Sequence, residues 1–357
     1  MDGAKARRGA FARRLAALIA QIGIAFLGGA SFAALGIPAA WLSGAVVATV
    51  LWGAAGRGIA LPRPLADAAM LLSGVTMGAG ITPEAVAAIG RYPASLGLLA
   101  VAVVAITAGS MIFLVRYCAW RRDDALLASV PGALSSVMAI AADRDADVSS
   151  IVIVQAFRLL VLITLLPTGV SVIGGGAAAG FPDSSASLIS PAALAVILAA
   201  SLAAGLVFER FAVAAPILLG GTLVSSLAHA TSLVSGAMPS GIVTLGLVLI
   251  GVFIGERFRT LNGRAFRRLL PATIGSFMVG MALAGAFAAT ASWVTGIGLG
   301  DSLVAFAPGG LEAMMILALV LGLDPLYVGV HHFARFLGIG LCLPFVFTRL
   351  RRRPGAS

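Results

Sequence analysis

Charge is scarce in this sequence: 11% of the 357 residues are Asp, Glu, Lys or Arg, 60% are apolar, and the mean hydropathy is +1.06. A soluble globular domain carries about a quarter charged residues, so that class is excluded. Cysteine is nearly absent as well. Cys118 and Cys342 lie far apart in or beside apolar runs, which excludes a disulfide framework or a cysteine metal site and leaves both as packing residues. There are three histidines, two of them adjacent, and no cluster of His, Cys, Asp and Glu at metal-ligand spacing. A P-loop, a dinucleotide fingerprint and a nucleophile elbow are all missing. The chain is therefore expected to hold no cofactor and to be no enzyme.

The formal net charge of +10 suggests nucleic acid until the positions are read. Basic residues gather at the N-terminus, in the loop after Gly255 and at Arg349, Arg351, Arg352 and Arg353, with most others at helix ends. That pattern orients helices in a bilayer and is no footprint for phosphates, so no direct nucleic-acid binding is expected. What the sequence has in abundance is apolar runs, each near the roughly 20 residues that cross about 30 Å of hydrocarbon as a helix. The first, after MDGAKARRGAFARR, is too long for a signal peptide and reads as a transmembrane helix.

A constant offset of 177 pairs Gly44 with Gly221, Pro62 with Pro239, Gly74 with Gly251 and Gly78 with Gly255, without a gap. It also lays DDALLASVPGALSSVM over GDSLVAFAPGGLEAMM, Asp147 over Asp324, Arg158 over Arg335 and Pro167 over Pro344. An internal duplication follows. The fold expected is an all-α polytopic membrane protein of two homologous units, residues 15–172 and 190–348, with a linker at 173–189 and short basic tails at 1–14 and 349–357. Each unit reads as five transmembrane helices plus one short helix, 131–142 in the first and 308–322 in the second, either re-entrant or part of a broken crossing. If both are re-entrant, every loop Lys and Arg except Arg91 falls on one side. If both cross, Arg257, Arg259, Arg264, Arg267 and Arg268 move to the other. The positive-inside rule favours the first: ten crossings, inverted repeats, and both termini cytoplasmic at the inner membrane.

Pro131-Gly132 and Pro308-Gly309-Gly310 mark helix starts, with N–H groups and a positive dipole end directed at a site in the membrane, or else simple kinks in a bundle. Arg158 and Arg335 lie about eleven residues into long helices, too deep to snorkel, and must meet a carboxylate, carbonyls, water or a solute anion. Glu312 on the second short helix stands where the first unit has Ser135, beside Ser136. It either pairs with Arg335, couples to a proton or cation, or only steadies its own first turn. His331 and His332 point about 100° apart and cannot chelate one metal; Gln155 matches His332 in the first unit. Asp147 and Asp324 read as helix caps.

The two stretches VPGALSSVMAIAADRDADVSSIVIVQAFRLLVLITLLP and APGGLEAMMILALVLGLDPLYVGVHHFARFLGIGLCLP, with LGIPAAWLSG upstream, resemble the duplicated AbrB family of bacterial membrane proteins over almost the whole chain. Pro308, Gly309, Gly310, Leu311, Glu312, Asp324, His332 and Arg335 carry the likeness most closely, while Ala133 departs from the pattern in the first copy. Family labels imply a regulator of gene expression or an ammonia monooxygenase. Three histidines make no copper or iron site, and the tails hold no DNA-reading domain. The Pro-Gly break before a polar-spotted helix also looks like secondary carriers of the bile acid symporter and cation antiporter type. The leading expectation is thus a secondary transporter of a small solute, anionic on the balance of Arg158 and Arg335 against Glu312, with proton or sodium coupling. A membrane sensor that affects expression indirectly is the alternative.

Overall fold

The computed structural model describes residues 2–79, 90, 92–132, 137, 141, 146–173, 188–234, 236, 238–259 and 263–351, with side chains from residue 10 to residue 343. The first half holds α1 (Asp2–Ala34), α2 (Ala40–Ala54), α3 (Arg63–Ala79), α4 (Tyr92–Cys118), α5 (Arg122–Ser129) and α6 (Val148–Ile173). The second holds α7 (Pro191–Arg210), α8 (Pro216–Ala230), α9 (Ser240–Gly255), α10 (Gly263–Thr295), α11 (Leu299–Phe306), α12 (Leu311–Val320) and α13 (Pro325–Arg351). Seven helices among the described residues are long and apolar enough to cross a bilayer, as in a multi-pass membrane protein. Leu51, Val104, Ile112, Leu165 and Trp293 are exposed, as apolar side chains facing lipid are.

The sequence-based outline needs two corrections. First, α2 and α8 are only 15 residues each, about 22 Å at 1.5 Å per residue, and so shorter than the crossings expected at 38–54 and 213–232. In each, an alanine with positive φ, Ala39 or Ala215, delays the helix start. Second, Pro308-Gly309-Gly310 lies between two short helices, α11 and α12, and α12 begins only at Leu311. Pro131-Gly132 follows the short helix α5, and most of the helix expected at 131–142 lies outside the described residues. The cause is steric: a residue before proline is pushed out of the helical region, and Val130 (ψ 124°) and Ala307 (ψ 136°) end α5 and α11 in extended conformation.

The chain forms two compact units that interleave its halves: 1–82, 163–263 and 319–322 in one, and 83–162, 264–318 and 323–357 in the other. The sequence repeats are therefore not the spatial units. The first unit collects the first three helices of each half. Its helices meet backbone to backbone at glycines: a Cβ on Gly74 of α3 would collide with the Leu218 carbonyl of α8, and one on Gly251 of α9 would stand 3.1 Å from the Leu42 carbonyl of α2. In lipid, where apolar side chains gain nothing by leaving one tail for another, such close approach supplies the packing energy. The Gln21 amide, buried in α1, holds the loop before α3 by bonding both the N–H (2.8 Å) and the C=O (2.9 Å) of Ile59.

The second unit holds the rest of each half around a core that includes Leu114, Leu127, Ile151, Val154 and Ile339. Antiparallel α4 and α10 touch where the Ser110 hydroxyl donates to the Ser276 carbonyl at 3.2 Å. The close packing of the first unit generates a test. Gly74→Leu should destabilise the purified protein by at least about 1–3 kcal/mol, the usual cost of overpacking. Gly23→Leu, where a Cβ meets nothing within 4 Å, should leave the melting temperature unchanged. Equal melting temperatures for the two variants would contradict the packing account.

Candidate functional site

The sequence-selected residues that fall among the described ones gather at the two helix breaks, all in the second unit. Ser135 and Ser136 lie outside the described residues. The geometry starts from two aspartates. Asp124 near the start of α5 accepts the backbone N–H of Asp147, which caps α6, at 3.2 Å. The matching contact, Asp324 N–H to Asp301 Oδ1 at 2.6 Å, ties the start of α11 to the start of α13. Each interrupted segment therefore leaves an end of the unit and returns to it before the next long helix begins.

The two ends are opposite. Tyr92 opens α4 and donates its hydroxyl to Asp324 at 3.2 Å, whereas Trp120 and Arg121, just past the other end of α4, share a cavity wall with Asp124 and Asp147. The 27 residues of α4 put about 40 Å between them. The segments that enter from these ends meet at their breaks. Gly132, at φ 77°, is the point of crossing, since a Cβ there would sit 2.9 Å from the Gly309 carbonyl and 3.2 Å from Arg335 Nη2. Only glycine takes that conformation at low cost and leaves room for the other chain.

Proline deprives the carbonyls four residues earlier, Leu127 O and Val304 O, of a helical N–H, and the central arginines bond carbonyls around the breaks, one of which, Ala307 O, also accepts the Gly309 N–H at 2.8 Å. Arg335 donates from Nη1 to Ala307 O (2.7 Å) and from Nη2 to Gly309 O (2.6 Å). Arg158 reaches Val130 O at 3.2 Å and Ser129 O at 3.5 Å, the latter at the limit of a hydrogen bond. Carbonyls at helix C-termini carry partial negative charge, so both cations, only 8% and 4% exposed, sit where the dipoles favour them. Of the partners expected for these arginines, carbonyls are the ones present. Among the described residues no carboxylate pairs with Arg158 or Arg335, and no cation pairs with Glu312.

Next to each arginine a second side chain bonds the helix one turn back. His332 Nε2 meets Val304 O at 2.9 Å, and Gln155 Nε2 meets Leu127 O at 2.9 Å. A carbonyl only accepts, so the His332 proton is on Nε2, and Nδ1 is left to accept from Arg335 Nη2 at 2.6 Å. His331 faces away. Its Nδ1 donates to Tyr327 O (2.8 Å), its Nε2 meets Ser95 Oγ (2.8 Å), and its ring packs 4.1 Å from that of Tyr327. Gly310 supplies the carbonyl for the first turn of α12, bonded by Met314 N–H at 3.0 Å, and Glu312 is half-buried in that turn. The N–H groups of Leu311, Glu312 and Ala313 have no acceptor among the described residues.

A cavity of about 870 Å³ opens at the Asp124–Asp147 end, walled by Trp120, Arg121, Arg264 and Arg268. At the Asp301–Asp324 end Tyr92 and Tyr327 are both buried. Asp147 also caps its helix, accepting the Ser150 hydroxyl (2.5 Å) and N–H (3.1 Å); the hydroxyl bond most of all holds its carboxyl below the usual aspartate range. The stabilisation from this cap is thus present at neutral pH and lost as pH falls through the lowered value. Sequence reading found the arginines and glycines but passed over Ser129, Val304, Tyr92, Tyr327 and the Asp124 and Asp301 partners. The constant offset that pairs Asp124 with Asp301 was the available signal for those two.

The match between His332 and Gln155 yields a prediction. His332→Gln should keep the bond to Val304 O and stay close to the parent stability. His332→Leu, which strands that carbonyl and an Arg335 N–H, should lose about 2–3 kcal/mol. A thermal or denaturant melt that ranks the two variants equal would remove the bond from the account.

Comparison with known proteins agrees with this arrangement of motifs. A curated protein of Escherichia coli (strain K12) named "Putative regulator AbrB" is 26% identical over 301 residues, covering 80% of this chain and 83% of its own length. Residues 41–351, which include both helix breaks and both arginines, match the family described as AbrB, Transition state regulatory protein AbrB. On that match the chain belongs to the AbrB family.

Proposed function

We propose that the protein is a secondary transporter of a small solute, anionic by the charge at its centre. One observation carries this reading: two interrupted segments start from opposite ends of α4 and cross at Gly132 and Gly309, each with a buried arginine at its break. Irregular backbone at membrane depth is tolerated where it is buried in protein or lines a site, and paired discontinuous helices are a recurrent way to hold a solute between two points of access. The equal hydrogen bonds at Asp147 and Asp324, at Gln155 and His332, and at Arg158 and Arg335 support a duplication. Segments that enter from opposite ends support inverted repeats and so ten crossings. On the positive-inside rule the arginine-walled cavity and both termini then face the cytoplasm of the inner membrane. Glu312, half-buried and unpaired in the first turn of α12, is the group in this reading that couples movement to a proton or sodium ion.

A second reading rests on names: the relative is called a regulator and the family description is regulatory. In that reading the same site binds a solute, moves nothing, and signals to a partner through the basic cytoplasmic loops. No reaction is assigned to the chain in either reading.

Proteoliposomes on a solid-supported membrane, challenged with a panel of small organic acids, separate the two. A transporter gives solute-dependent currents that Glu312→Gln, which removes the coupling carboxylate of this reading, abolishes. Binding without current for any acid that binds would favour the sensor. Orientation has its own test in a background lacking Cys118 and Cys342. Cysteine at Arg268 should be labelled only from the cytoplasm and cysteine at Gly296 only from outside. The reverse pattern, or one side for both, would overturn the inverted arrangement.

A further inference from the structure

The two arginines are not equally committed. Arg335 is held at 2.6–2.7 Å by two carbonyls and His332, and its Nε is only 3.4 Å from where a Cβ on Gly132 would stand. Arg158 has two longer bonds, of 3.2 and 3.5 Å. The Nε of each arginine has no partner among the described residues, but only that of Arg335 has another stretch of main chain so close. Beside it is a small cavity of about 10 Å³, the size of one oxygen-centred group, walled by Ser110, Ser129, Arg158, Thr273, Ser276 and Pro308. The Ser129 hydroxyl, in a residue 2% exposed, is also unpartnered. The remaining hydroxyls have spent their hydrogens on carbonyls: Ser110 on Ser276 O, Ser276 on Thr273 O, and Thr273 on Leu269 O. Buried polar groups are seldom left unmet, and two stranded donors on one cavity call for an acceptor between them.

The small cavity and the large open one lie along the same helices, α5, α6 and α10, with Ser129, Arg158 and Thr273 on the first and Asp124, Ser150 and Ala272 on the second. Three guanidinium groups, Arg121, Arg264 and Arg268, oppose two carboxylates there, Asp124 and Asp147. Trp120, Leu269 and Ala272 add apolar surface.

We infer that the pocket at Arg158 and Ser129 is the anion subsite of the solute path and receives one oxygen of a small organic carboxylate, which enters from the Asp124–Asp147 end. Arg335 is the structural partner, fixed by His332. The inference rests on the transport reading for its use but not for its chemistry. A guanidinium N–H and a hydroxyl directed at one point give a carboxylate oxygen two charge-assisted or neutral bonds, and the apolar wall of the vestibule suits an organic body better than a halide.

The test is the melting temperature of the purified full-length protein in detergent, titrated with sodium lactate or sodium acetate against equal sodium chloride. A carboxylate that binds the folded state raises the melting temperature along a saturating curve. Ser129→Ala, which leaves the fold intact, should weaken the half-saturation about tenfold, the usual worth of one bond to a charged group. Arg158→Gln should lose the response. No response from either carboxylate, an equal response to chloride, or an unchanged half-saturation in Ser129→Ala would each overturn the subsite. If solute currents persist with unchanged half-saturation in Ser129→Ala, the subsite falls and the transport reading stands. Carboxylate binding that depends on Ser129 but drives no current does the opposite.

Discussion

The second unit depends on one constraint: proline has no N–H, so a helix it interrupts inside a membrane is left with carbonyls short of backbone donors. An unmet carbonyl in hydrocarbon costs several kcal/mol. The chain answers with an arginine from the next long helix of the same half. Arg158 sits over the end of α5 and Arg335 over the end of α11. Each cation in turn has its charge offset by the dipole it faces, so no carboxylate is required. The break and the buried charge are two halves of one solution, and neither is stable in lipid without the other.

That dependence also explains why the arginines stand where they do. Asp147 and Asp324 fix the starts of α6 and α13 against α5 and α11, and from there three turns of helix bring the guanidinium to the carbonyls around the break. Gln155 and His332 fill the turn before, each holding a carbonyl of the shorter helix. The first half uses a glutamine and the second a histidine for the same bond, but only the histidine offers Arg335 an acceptor. One imidazole nitrogen thus gives Arg335 a third partner, where Arg158 has two carbonyls at longer distances.

Much of this was legible in the sequence, and the reasons for the rest are specific. Composition and run length identify a helical membrane protein, and the matched glycines, prolines and arginines mark the break and its cations, because those residue types have few other uses in lipid. The offset could not show that each proline would follow a short helix, α5 or α11. That outcome turns on the ψ angle of the residue before it, at Val130 and Ala307, and neither residue is unusual as a type. Nor could it tell that Asp124 and Asp301 matter beyond the ends of apolar runs, since their role is a contact with a residue 23 positions away. Among the partners left open for Arg335 the structure shows carbonyls, a choice the sequence could not make because backbone dipoles leave no periodic trace in it.

The glycine contacts of the first unit have a mechanical meaning. Where Gly74 of α3 lies on the Leu218 carbonyl of α8, no side chain is present to change rotamer, and any sliding brings one main chain into collision with another. A surface of that kind is stiff. Helices that pack through long side chains can slip by repacking them, while helices that pack through bare backbone keep register or separate. The helices of the first unit that meet in this way are thus built to behave as one solid piece.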